Sequence, residues 1–173
     1  MDFHIEESTG AVRCNEKLSA DIKAHAWSQY PKESVGAVVS GKYVPLHNSH
    51  PDPHTSFIAM DCPDDAEALI HSHPDTQSCP SAADMTQQAI MSIPWGIVSV
   101  SGRSSQVSEV EWFGEGCPIS PLLGRTFLSG VRDCWCLVKD WYTLEHPEIG
   151  HKLPQLPRDH DWYKDEIDLL GRQ

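Results

Sequence analysis

The sequence predicts an α/β domain, a mixed sheet flanked by helices, followed by a partial α+β segment. Three observations predict this: helix-like and strand-like patterns intermingle as far as Trp112, residues 114–121 shift to Gly, Pro and Ser, and a new aromatic-rich run begins beyond them. The expected division is a first domain at 1–113, a linker at 114–122 and an incomplete second domain at 123–173. With 173 residues, the chain is long enough to bury a real core in one domain or slightly more.

The elements follow in order. Residues 16–30 read as an amphipathic helix, because Leu18, Ile22 and Ala26 recur four apart and Pro31 ends the run. The apolar run from Val35 to Val39 reads as a buried strand over 35–40, and a turn at Gly41 leads into a second strand over 42–46. A third strand is expected over 56–60. Residues 64–69 look like a short helix leading into Ile70 and His71, which leaves the strand around His71 short and edge-like. A helix is expected over 81–92, then strands over 96–100 and 106–112 joined by a Gly/Arg/Ser turn.

The run His71-Ser72-His73-Pro74, with Ser81 and Asp84 shortly after it, carries the most chemistry. In an extended strand residues two apart share a face, so His71 and His73 can aim at one ion while Ser72 points away. Asp84 lies in the first turn of the next helix and can fold back as a third ligand. Catalytic zinc sites use three such ligands and keep one position open, whereas structural sites fill all four, commonly with thiolates. Glu33, just before the strand at Val35, is the candidate base for the water proton. The separate parts also have plainer explanations. The chain has ten histidines, so one His-x-His alone is weak, and Ser81-x-x-Asp84 is a good capping box that needs no metal. The full combination favours the metal.

Glu33, His71-x-His73-Pro74, Ser81 and Asp84 resemble the Glu, His-x-His-x7-Ser-x2-Asp signature of the JAMM (MPN-plus) metalloproteases, over roughly residues 15–112. The resemblance implies the family's mixed sheet with flanking helices. It also implies zinc held by His71, His73 and Asp84, Glu33 as general base and acid, and Ser81 supporting the oxyanion of an amide under attack. Oxygen and nitrogen ligands also accept manganese, iron or cobalt, so zinc is the first expectation among several metals.

Composition narrows the partners. A net charge of −12 repels phosphate backbones, and no basic stripe is interleaved with aromatics, so no nucleic-acid partner is expected. Neither a signal-peptide pattern at Met1-Asp2-Phe3-His4 nor a long apolar run is present, so the chain is expected in the cytoplasm without membrane insertion. Six cysteines without a Cys-x-x-Cys pair predict free thiols. His47, His50 and His54 fall in a polar, Pro-containing loop and are expected to be solvated, with a possible part in shaping a substrate groove.

Beyond the linker, Asp133 looks like an N-cap and Cys134 follows it. Free amides and the helix dipole stabilise a thiolate there, which makes Cys134 a candidate nucleophile. A small buried residue among the aromatics Trp135 and Trp141 is the plainer alternative. Gly130 to Tyr142 resembles the start of the NlpC-type cysteine peptidases of peptidoglycan, with Cys134 at the nucleophile position. That family's histidine lies on a later strand, and His146, His151 and His160 do not match its context. The expectation is therefore an incomplete segment that is inactive by itself.

A JAMM domain followed by an NlpC-type segment resembles the tail assembly proteins of lambdoid tailed phages. The resemblance implies a tail-tip component assembled in host bacterial cytoplasm and then carried in the virion tail. It also implies a peptide or protein substrate, with other tail proteins or peptidoglycan as partners. Three functions follow: a zinc peptidase, a cysteine peptidase using Cys134, or a non-catalytic structural tail module.

Overall fold

A computed structural model describes residues 3–5, 12–14 and 16–162. In chain order the elements are β1 (Phe3–Ile5), β2 (Val12–Cys14), α1 (Glu16–Gln29), β3 (Val35–Val39), β4 (Lys42–Leu46), β5 (Ala68–Pro74), α2 (Ala82–Met91), β6 (Trp95–Ser101), β7 (Gln106–Val107), β8 (Glu111–Phe113), α3 (Cys134–Glu145) and α4 (Pro147–Gly150). Contacts divide the chain into two compact units, Met1–Ser78 with Ser92–Pro118, and Cys79–Met91 with Ile119–Gln173.

The first unit is built on a mixed sheet in the order β4-β3-β5-β6-β7, with β8 also paired to β6. The β3–β4 hairpin closes through Ser40 at φ 50° and Gly41 at φ 74°, the left-handed pair that matches strand twist. β3 and β5 are antiparallel, whereas β5 and β6 are parallel. A parallel pair needs a crossover of a dozen or more residues, and residues 75–94, which contain α2, supply it. On one face of the sheet Leu18, Ile22 and Ala26 of α1 pack with Val38, Ala68, Ile70, Val98 and Val100. Each fully buried aliphatic side chain there contributes about 1.5–3 kcal/mol. The opposite face carries Val35, Ala37, Leu69, His71, Trp95 and Ile97, in register across three strands and buried.

Gly36 leaves room for the Tyr43 ring: a Cβ there would meet the ring at 2.4 Å, within the backbone ladder of β3. Gly36→Ala is expected to cost about 1–3 kcal/mol through overpacking, read as a lower urea midpoint with an unchanged slope.

Four expectations are corrected. β5 is neither short nor at an edge; it runs seven residues between β3 and β6, because Glu67 N already donates to Val38 O at 2.7 Å and starts the ladder. That pairing replaces the helix expected over 64–69, of which only a turn closed by Ala66 N and Pro63 O at 3.1 Å remains. Residues 56–60 form no strand, because Ile58 bonds Asn48 and Ser49 instead of a neighbouring strand. The strand expected over 106–112 is two short strands. Between them Ser108 Oγ accepts from Ser99 N at 2.9 Å, in place of a backbone carbonyl.

In the second unit Asp133 caps α3, accepting from Cys136 N at 3.0 Å and Gly130 N at 2.8 Å. Its carboxylate also forms an ion pair with Arg158, and both side chains are buried. Arg125 pairs with Asp140 at 2.7 Å, and Ala82 N donates to Asp159 Oδ1 at 2.9 Å. Cys62, Cys79, Cys117, Cys134 and Cys136 are free thiols, while the side chain of Cys14 lies outside the described residues.

Candidate metal centre

His71 and His73 project from β5 onto the face opposite α1, because the strand period of two sets them on one side. Ser72, between them, points to the other side and stitches the sheet. Its Oγ accepts from Ser34 N at 2.8 Å, and its own N donates to Ser34 O at 3.0 Å. That stitch fixes the segment carrying Glu33. The β3–β5 pairing begins at Val35↔His71, two residues after Glu33. Glu33 is buried, its N donates to Pro53 O at 2.7 Å, and its carbonyl accepts from Asn48 Nδ2 at 3.0 Å.

The two imidazoles are arranged for a shared ligand. His73 Nδ1 sits 3.0 Å from the Gln77 carbonyl, which can only accept, so in the neutral ring the proton is on Nδ1 and Nε2 presents a lone pair. Carbonyl contacts of this kind commonly orient metal-ligating histidines. His73 Nε2 lies 3.0 Å from His71 Nε2. Two nitrogens bound to one tetrahedral zinc ion stand about 3.3 Å apart, given zinc–nitrogen bonds near 2.0–2.1 Å. His71 is fully buried, with the Phe57 ring centroid 4.6 Å away and the Trp95 ring edge-on at 5.8 Å.

Asp84 stands in the first turn of α2. Ser81 N and Oγ both donate to its Oδ2, at 2.8 and 2.7 Å, and Asp84 N donates back to Ser81 Oγ at 3.1 Å. The capping box is therefore present. It does not exhaust the carboxylate, which has a second oxygen and about four lone-pair positions in all. Beside these two imidazoles, the sequence motif supplies one carboxylate, Asp84. The donor set, two neutral imidazoles and one carboxylate, suits zinc or another borderline divalent ion.

Cys134 is exposed at the start of α3, directly after its cap Asp133. Among the described residues no histidine is hydrogen-bonded to it. His146 Nδ1 lies 3.7 Å from Glu148, and His151 bonds the Pro147 carbonyl. The neighbouring Cys136 is the more enclosed thiol. Burial pushes it up to about 11, despite Arg158 Nη2 at 3.5 Å from its sulfur.

Sequence reasoning missed Asn48, Phe57 and Ser72. The first two belong to a loop that has only polar composition to announce it, and Ser72 reads as a spacer until the β3–β5 register is known. Of the loop histidines, His50 and His54 bind backbone carbonyls, at Asp52 and Pro31.

No family model matches the chain. A solution structure of a protein from Desulfitobacterium hafniense aligns with 58% of this chain and 88% of that one, at 20% identity and a TM-score of 0.42. One from Salinibacter ruber aligns with 69% and 90%, at 18% identity and a TM-score of 0.39. Among curated proteins, the chain is 33% identical over 102 residues to tail tip assembly protein K of Escherichia phage lambda, covering 59% of this chain and 44% of that one. It is 32% identical over 162 residues to tail tip assembly protein K of Escherichia phage N15, covering 86% of this chain and 62% of the relative, so it spans less than two thirds of either.

Proposed function

We propose that this chain serves in phage tail tip assembly, and that His71, His73 and Asp84 hold a zinc ion for hydrolysis of an amide bond. The first part rests on similarity to two tail tip assembly proteins. The second is carried by one observation, His71 Nε2 and His73 Nε2 3.0 Å apart on one face of β5, and is supported by the Nδ1–H tautomer of His73 and by the carboxylate that the sequence motif supplies at Asp84. In this reading the protein works in host bacterial cytoplasm and then in the virion tail, with other tail proteins or peptidoglycan peptides as substrates and partners. Among the described residues no helix is long and apolar enough to cross a membrane.

Bound there, zinc would acidify water toward neutral pH and polarise the scissile carbonyl. Glu33 takes the proton released as water attacks and passes it to the departing amine. Its burial keeps bulk water from competing for that proton. Ser81 donates its hydroxyl to the carbonyl oxygen as charge develops, after turning from Asp84 Oδ2, where it points in this structure.

Elemental analysis of the full chain beside Asp84→Ala tests the site. About one zinc per chain, lost in the variant, is expected; chelation should then stop cleavage of purified tail proteins. No metal in either protein would overturn the proposal. A second reading has its own observation, since the Ser81–Asp84 box is complete as a helix cap. The chain would then be a structural tail module, and Glu33→Ala would complete tail assembly as well as wild type. The cysteine alternative predicts instead that Cys134→Ser abolishes cleavage and that chelators leave it intact.

A further inference from the structure

One side-chain amide organises the loop beside the candidate site. Asn48 Nδ2 donates to Glu33 O at 3.0 Å and to Ser56 O at 3.1 Å. Its Oδ1 accepts from His50 N at 3.0 Å and from Ile58 N at 3.2 Å. Two of these bonds bracket Phe57 on either side in sequence, and the Phe57 ring packs against His71 with centroids 4.6 Å apart and planes tilted by 34°. A third holds the carbonyl of Glu33, whose N–H is tied to Pro53 of the same loop at 2.7 Å. Ser49 adds bonds from both its N and its Oγ to Ile58 O. Residues 56–60 belong to no strand, so the sheet does not hold this loop in place.

From this geometry we infer that Asn48 is a positioning residue: it fixes the backbone of the base Glu33 and, through Phe57, the ring of the metal ligand His71. The inference rests on the proposed function, since it assigns Asn48 to the same site. All four hydrogen-bonding positions of an amide are used, with two donors and two acceptor sites filled. Aspartate would keep the acceptor and lose both donors. Alanine would lose all four bonds and leave backbone groups of the loop unsatisfied, which loosens the loop more than the sheet.

The experiment uses the full chain and cobalt(II) alone as the probe, together with amide hydrogen exchange of the metal-free protein. Asn48→Ala is expected to speed exchange at Glu33 and Ile58 at least tenfold while Ala37 and Ile70 keep wild-type rates, and to weaken cobalt binding about tenfold, as outer partners of metal ligands commonly do. Should Asn48→Ala not fold, Asn48→Asp carries the test, with faster exchange at Glu33 and a smaller change at Ile58. Wild-type exchange at Glu33 with wild-type cobalt affinity would overturn this inference and leave the proposed function standing. Equal acceleration at Ala37 and Ile70 would also overturn it, since Asn48 would then support the fold as a whole. A wild-type chain that binds no cobalt would overturn the proposed function, and this inference with it.

Discussion

Under the proposed function, Glu33→Gln is expected to lower amide hydrolysis by roughly 10²–10⁴-fold, the usual contribution of one positioned acid–base group. Bound metal should stay at the wild-type level, because Glu33 is outside the set of three ligands. Glutamine keeps the volume and the planar head of glutamate. The backbone bonds from Glu33 N to Pro53 and from Asn48 to Glu33 O do not involve the side chain, so they survive the change. What disappears is the ability to take a proton. The loss should therefore fall on kcat at unchanged metal content, measured with a cleaved tail protein as substrate. A variant that cleaves at the wild-type rate would remove Glu33 from the chemistry.

The largest effect on stability is expected at Arg158. This residue is 4% exposed, and its guanidinium bonds Asp133 Oδ2 through both Nε, at 3.1 Å, and Nη2. Asp133 is simultaneously the cap of α3. Arg158→Ala leaves that carboxylate buried without its cation, which typically costs about 3–5 kcal/mol. Burial works to raise the Asp133 pKa, but Arg158 and the amides of Cys136 and Gly130 hold it below the ordinary carboxylate range. A carboxyl with a depressed folded pKa stabilises the fold above its unfolded pKa of about 3.9. That contribution fades as pH falls through the lower, folded value. Urea unfolding followed by the fluorescence of the neighbouring Trp135 should show the destabilisation at pH 7. The gap between wild type and variant should narrow below about pH 4, where the unfolded carboxyl is protonated. Asp133→Leu combined with Arg158→Met should cost less than Arg158→Ala, since no charge is then left buried alone.

Much of the first unit was legible because its signals are periodic. Leu18, Ile22 and Ala26 mark α1 by a stripe, Val35 to Val39 mark β3 by an unbroken apolar run, and Ser40-Gly41 marks the hairpin. His71 and His73 were legible for the same reason, since a strand places residues two apart on one face whatever lies beside it. Failures came where a distant partner decides the structure. The extent of β5 depends on Val38 and β6, and the shape of residues 48–58 depends on one asparagine amide, neither of which leaves a local pattern. The cap at Asp133 could be read from its place before Cys134, yet Arg158, 25 residues away, could be matched to it only in three dimensions.

β4 forms one edge of the sheet, with Lys42 and Pro45 in its five residues. A proline has no N–H to offer a further strand, and an edge lysine resists being covered by one. In the proposed role, tail assembly would gather proteins at high local concentration, where an open strand edge invites fibre-like stacking. Blunted in this way, the β4 edge is closed to accidental extension by a further strand.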